Sequence, residues 1–289
     1  MKFPVEQDGE RRNRMTRGRP EDENVITPGG NVFAEGIENL PDRPEVLGRN
    51  GAFFLDVDGT LLDIAERPEA VKLRSGLTDT LAALQRRAPV ALISGRPIAA
   101  LDRLFAPLKL PAAGQHGAER RSADGRLRRV TVSRSALNQA RAYLVAWARN
   151  HQEILLEDKG LTLALHYRAA PRLESEAARV AREAWRRLGD GFVLEPGNMV
   201  FEIRPRGWDK GRAIAEFMRE PPFAGRVPVF AGDDITDEDG FAAVNRMGGY
   251  SIKVGVGPTA ARWRLPDVRR VLAWLDCYVA WFAAQGTEG

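Results

Sequence analysis

From about residue 47 the chain alternates short apolar runs with amphipathic stretches. Ala52–Val57, apolar but for Asp56, and Val90–Ile93 are runs of strand length, the pattern of strands buried on both faces. Leu73–Arg87 carries Leu77, Leu81 and Leu84 at helical spacing, and Ile98–Phe105 predicts a further helix. From about Leu110 the pattern changes. Arg120–Val132 predicts a hairpin turning at Asp124-Gly125. Helices over Ser135–Asn150 and Glu174–Leu188 alternate with strand pairs at Ile154–Glu157 and Leu161–Tyr167, then at Phe192–Glu195 and Met199–Arg204. The first pattern then resumes, with a helix from Lys210 to Met218 and a buried strand Val227–Ala231. A helix over Asp237–Asn245, a strand Tyr250–Val254 and a helix Val268–Ala284 follow. This order predicts an α/β fold: a Rossmann-like parallel-sheet core (47–115 and 206–289) interrupted by an inserted α+β module (116–205). Residues 1–46 are polar, rich in charge, glycine and proline, and read as a flexible extension with one candidate helix near Val32–Leu40.

Composition narrows the class. With 289 residues, 44% of them hydrophobic, the chain has ample material for one or two packed domains. The formal net charge of +4 is mild and dispersed, which suits anionic small molecules better than nucleic acid, and no nucleic-acid motif is present. Cys277 is the single cysteine, so no intramolecular disulfide can form, in keeping with a reducing cytoplasm. The Val271–Ala284 stretch is shorter than the ~18–20 apolar residues of a membrane span. The arginines near the N-terminus have no apolar run after them, unlike a secretory signal.

Chemistry gathers where strands end. The run to Val57 holds Asp56 and is followed by Asp58; at i and i+2 of an extended strand the two project to one side. Gly59 permits a sharp turn and Thr60 adds a hydroxyl. A carboxylate there can serve as nucleophile, and its neighbour can exchange protons. Ser94 follows the second strand, Lys210 opens a helix, and Asp233 and Asp234 follow the strand Val227–Ala231. A hydroxyl, an ammonium and further carboxylates suit a phosphoryl group and a magnesium ion. Taken singly, each has a plainer reading as a turn, a solvated lysine or a helix cap.

Together these residues resemble the four motifs of the haloacid dehalogenase superfamily of phosphatases. Within it the chain is similar to the trehalose-6-phosphate phosphatases. That likeness runs through Leu55–Leu61, Ile93–Arg96, Gly114–Glu119, Glu157–Gly160, Leu165–Arg168, Glu202–Gly207, Asp209–Gly211 and Gly232–Glu238. It covers residues 50 to about 275 and departs at Asn198, where some relatives carry lysine. The resemblance implies a haloacid dehalogenase core with a cap, and hydrolysis of trehalose 6-phosphate through an aspartyl phosphate with Mg²⁺. It makes Asp56 the nucleophile and Asp58 the acid and base. Ser94 and Lys210 would hold the phosphoryl oxygens. Asp56, the Asp58 carbonyl and Asp233 would bind the metal, with Asp234 and Asp237 supporting them from behind. Glu157, Lys159 and Glu202 would bind the sugar, with Arg96 and His116 at the mouth between core and cap. From spacing alone, Glu157, Lys159 and Glu202 fit a solvated strand face equally well. His166, in an insertion strand, reads as packed.

Two other readings stay open from sequence: a phosphatase of the same superfamily acting on sucrose phosphate or mannosyl-phosphoglycerate, and a sensor that binds a sugar phosphate without turnover. The intact set Asp56, Asp58, Lys210 and Asp233 favours an enzyme. A small-molecule sugar phosphate is the expected partner, and the oligomeric state is not legible.

Overall fold

A computed structural model describes residues 50–64 and 71–284. The candidate helix near Val32–Leu40 and the extension over 1–46 lie outside the described residues.

Apolar residues on both sides of each central strand force that strand between two layers. The chain runs through β1 (Gly51–Leu55), α1 (Leu77–Gln85), β2 (Val90–Ile93), α2 (Ile98–Leu104) and β3 (Ala112–Gly114). A hairpin follows, β4 (Glu119–Arg121) and β5 (Leu127–Arg129). Then come α3 (Arg134–Ala148), β6 (Leu155–Asp158), β7 (Leu163–His166), α4 (Glu174–Leu188), β8 (Phe192–Gly197) and β9 (Val200–Pro205). The chain closes with α5 (Lys210–Phe217), β10 (Val227–Gly232), α6 (Glu238–Arg246), β11 (Tyr250–Val254), β12 (Trp263–Leu265) and α7 (Val268–Ala284).

Two sheets result. The first has the order β12-β11-β10-β1-β2-β3-β4-β5, parallel from β12 to β3 and antiparallel beyond. Side-chain alternation along β1 sends Phe53 and Leu55 to one face, against α1, α2 and α7, where the Phe53 and Tyr278 rings meet edge to face at 5.1 Å. Ala52 and Phe54 go to the other face, against Phe217 of α5 and Phe241 of α6. β1 pairs with β2 on one side and with the distant β10 on the other. Strand order reverses between β1 and β10, and in open α/β sheets the crevice at such a reversal, beyond the strands' carboxyl ends, is where ligands bind.

The second sheet, β6-β7-β9-β8, is antiparallel and carries its own core. Leu163, Leu165 and Ile203 pack against Leu137 and Leu144 of α3 and Val180 and Ala184 of α4. This leaves the alternate positions on the opposite face, among them Glu157, Ala164, His166 and Glu202, with Ala164 paired to both Glu157 and Glu202.

One expectation is corrected. The hairpin at Asp124-Gly125 forms, with the Asp124 carboxylate accepting from the Ser122 hydroxyl and the Arg126 N–H, but it does not belong to a separate module. β4 pairs with β3, so the hairpin continues the first sheet. The division between sheets falls after Arg129, not at residue 116. The short strands β3 and β12 were not anticipated from sequence.

Candidate active site

Asp56 is fixed by the sheet. Regular pairing of β1 ends at Leu55, but the Asp56 N–H still donates to the Ala231 carbonyl of β10 at 3.0 Å, which holds the side chain at the strand reversal. The carboxylate is buried and receives the Lys210 ammonium at 2.8 Å. Lys210 is the first residue of α5, whose start is capped by Asp209 accepting the Arg212 N–H. The same ammonium reaches Asp237 at 2.6 Å. Asp237 turns its other oxygen to the N–H groups of Asp233 and Asp234, both at 3.0 Å, and so shapes the loop after β10. The Thr60 hydroxyl donates to Asp233 at 3.3 Å, and the buried Lys253 ammonium donates to the Asp233 carbonyl.

Oxygens of Asp56, Asp233 and Asp237 lie within 4.8 Å of one another. Burial pushes the Asp56 carboxyl well above the usual range, against the pull of Lys210. Burial and the charge of Asp237 raise Asp233 to about 7. Lys210 is raised in turn: burial disfavours its charge, but Asp237 and Asp56 outweigh it. Three carboxylates thus gather beside the Lys210 ammonium, with Lys253 on the Asp233 carbonyl, and the remaining negative charge and all-oxygen donor set fit a hard divalent cation. Gly59 belongs to this construction. Its φ is +84°, and a Cβ there would stand 2.1 Å from a carboxylate oxygen of Asp233.

Around this cluster stand the groups for a phosphate and its leaving group. The Ser94 N–H donates to Ala113 at 2.8 Å at the end of β2, and its buried hydroxyl accepts the Arg96 N–H at 3.1 Å. The Arg96 guanidinium grips Asp58 with two bonds of 2.6 Å. Asp56 and Asp58 therefore project into one cavity but answer to different cations, which the shared-side expectation for i and i+2 did not separate.

The second sheet presents its polar face to the same space. Lys159 donates to Glu202 at 2.9 Å, and Glu157 lies 3.9 Å from Lys159. His116, in the turn after β3, meets the other Glu202 oxygen at 2.9 Å. Burial alone would raise Glu202, but His116 and Lys159 hold its carboxyl well below the usual range. Lys159 is raised because Glu202 and Glu157 overcome its burial. The His116 ring lies over Gly95, where a Cβ would come within 2.7 Å of Nε2.

A cavity of about 170 Å³ is lined by Asp56, Asp58, Ser94, Arg96, His116, Glu157, Lys159, Glu202, Lys210 and Asp234. Every candidate site residue named from sequence lines this cavity except Asp233 and Asp237, which join it through the carboxylate cluster and Lys210. The lining adds His166, Arg168 and Thr236, which sequence reasoning left out. His166 is not merely packed: it lies 3.1 Å from Glu157. Its period-2 spacing from Ala164 placed it on this face and was the available signal.

A family model described as trehalose-phosphatase matches residues 54–269. The chain is 42% identical over 241 residues to a trehalose-6-phosphate phosphatase of Escherichia coli, covering 83% of this chain and 90% of that protein. It is 44% identical over 208 residues to a probable trehalose-phosphate phosphatase of Sinorhizobium fredii, covering 71% and 78%. Among solved structures, the C-terminal domain of Candida albicans trehalose-6-phosphate phosphatase shares the fold, with a TM-score of 0.72 at 22% identity over 83% of this chain and 96% of that one.

Proposed function

This chain belongs to the trehalose-phosphatase family, and on that premise we propose that it hydrolyses trehalose 6-phosphate to trehalose and phosphate. The observation that carries the reading is a single cavity with two unlike walls. Asp56, Ser94 and Lys210 form one, and Glu157, Lys159 and Glu202 form the other. A phosphoryl group fits the first, and carboxylates and an ammonium are good partners for sugar hydroxyls at the second.

In the reaction, a carboxylate oxygen of Asp56 attacks phosphorus and the bond from phosphorus to the sugar oxygen breaks. Asp58, protonated and freed from one arm of the Arg96 fork, gives its proton to that departing oxygen. Water then attacks the aspartyl phosphate at phosphorus, Asp58 takes the water's proton, and phosphate leaves with Asp56 restored. Lys210 and Ser94 hold the non-bridging oxygens throughout. Asp56, the Asp58 carbonyl and Asp233 would hold Mg²⁺, which offsets phosphoryl charge when bound. Asp237 and Asp234 keep that loop in shape.

The segment from about residue 132 to 205 acts as the cap. Parting of the two walls would admit the disaccharide to the cavity between them. Among the described residues no helix is long and apolar enough to cross a membrane.

Phosphate release tests the reading, with trehalose 6-phosphate, sucrose 6-phosphate and mannosyl-phosphoglycerate offered in Mg²⁺ with and without EDTA. Trehalose 6-phosphate is the expected preferred substrate. Preference for another sugar phosphate moves the assignment within the superfamily, and saturable binding with no release makes the protein a sensor.

A further inference from the structure

Gln115 stands outside every role assigned above, yet its geometry is costly and specific. It is a buried, non-glycine residue held at φ 48°, in the left-handed region, and His116 follows at φ 57°. Such conformations are disfavoured for ordinary side chains and persist only where surrounding contacts over-determine them. Here the contacts are identifiable. The Gln115 N–H donates to the Arg96 carbonyl at 3.0 Å, and the His116 N–H donates to the Ser94 carbonyl at 3.0 Å. The turn is thus tied to the loop that presents Ser94 and Arg96 to the phosphoryl group.

The Gln115 side chain runs the other way. Its Oε1 accepts the N–H of Leu161 at 3.0 Å and the N–H of Thr162 at 3.1 Å. Those residues follow Lys159 in the connection between β6 and β7, and Lys159 is itself tied back there, its N–H donating to the Thr162 carbonyl at 3.1 Å. One residue of the first sheet's loop therefore fixes the backbone that carries the ammonium at the sugar wall.

We propose that Gln115 is a positioning residue for trehalose 6-phosphate turnover. Its carboxamide oxygen docks the Lys159 loop onto the Ser94–Arg96 loop, setting the distance between the sugar wall and the phosphoryl wall. The proposal rests on the function proposed above. The two are separable, because a docking role concerns only substrates long enough to touch both walls. Removing the acceptor leaves the buried Thr162 N–H and the half-buried Leu161 N–H without this partner in the closed arrangement, a loss that disfavours closure over a sugar. A small aryl phosphate occupies the phosphoryl wall alone.

Three variants separate this role from general support of the fold. Gln115→Asn keeps a carboxamide and a residue tolerant of left-handed backbone, but shortens the reach by one methylene. Gln115→Leu keeps bulk and removes the acceptor. Gln115→Glu keeps both reach and acceptor. kcat and KM are measured on trehalose 6-phosphate and on p-nitrophenyl phosphate, with folding checked by circular dichroism. Asn and Leu should lower kcat/KM for trehalose 6-phosphate about ten- to hundredfold, chiefly through KM, and leave p-nitrophenyl phosphate unchanged. Glu should restore most of the loss. Equal losses on both substrates, full activity of the Asn and Leu variants, or a Glu variant as impaired as Leu overturns the proposal. If the wild-type protein prefers another sugar phosphate, the function proposed above fails, and the same comparison made on that substrate still decides the role of Gln115.

Discussion

Arg96 holds Asp58 in a planar fork, Nε to one carboxylate oxygen and Nη2 to the other, each at 2.6 Å. This pairing orients the carboxylate assigned to proton transfer and anchors it to the same loop as Ser94. A lysine in its place offers a single point charge and cannot reproduce a two-pronged contact. Arg96→Lys should therefore lower kcat about ten- to hundredfold on trehalose 6-phosphate and p-nitrophenyl phosphate alike. A loss confined to the sugar substrate would reassign Arg96 to sugar binding.

Asp56→Asn should remove nearly all turnover while leaving the fold intact, because the amide is a poor nucleophile yet nearly the same shape. Hydroxylamine should displace phosphate from the aspartyl phosphate and leave a hydroxamate, which mass spectrometry should locate at Asp56 in active protein. Substantial activity of the Asn variant, with deamidation excluded, would sink the assignment.

EDTA should abolish phosphate release and Mg²⁺ should restore it. Gly59→Ala tests the same cluster from an unexpected side. The added methyl would lie 2.1 Å from an Asp233 oxygen, at a backbone φ of +84° that disfavours alanine. The variant should need more Mg²⁺ for half-maximal activity, and an unshifted requirement would show that the Asp233 carboxylate is not a ligand.

Lys159→Ala and Glu202→Ala should depress trehalose 6-phosphate turnover far more than p-nitrophenyl phosphate turnover, since an aryl group meets none of the sugar wall. Lys210→Ala should depress both. Parallel losses in the Lys159 and Glu202 variants would mean that these residues support the site and do not read the sugar.

Stability should report the burial of Glu202. Its carboxyl is held well below the usual range in the folded protein, so folding favours the ionised form. The resulting stabilisation is complete above the unfolded value near ~4.3 and is lost as pH falls through the lower folded value. The Tm difference between wild type and Glu202→Gln should shrink as the solution is acidified below about pH 4. A difference independent of pH would show that shape, not charge, holds Glu202 in place.

The catalytic end of the site was legible because its chemistry follows strand ends, and strand ends can be read from apolar runs. Asp56 and Ser94 each stand one residue past an apolar run and Asp233 two past, and Lys210 opens a helix that its Asp209 cap announces. The sugar wall was half legible: alternation puts Glu157, His166 and Glu202 on one face, but only pairing between strands brings them together. The boundary at 116 failed for a physical reason. Local sequence shows that β4 and β5 form a hairpin, but not which edge it joins. Gln115 was invisible because its conformation is imposed from both ends by distant partners.

The two middle strands of the first sheet's parallel part come from opposite ends of the folded region: β1 opens it, and β10 arrives only after the whole second sheet has been made. The second sheet and its helices form a contiguous stretch with a core of its own, while the β1–β10 pairing must wait for a long loop to close. Asp56 lies at the end of one strand and Asp233 just past the other. A ribosome therefore releases the sugar-reading half well before the acids can meet. A chain cut short before β10 would carry the residues of the second sheet but could not gather Asp56, Asp233 and Asp237, so the carboxylate cluster is a mark that the chain has passed β10.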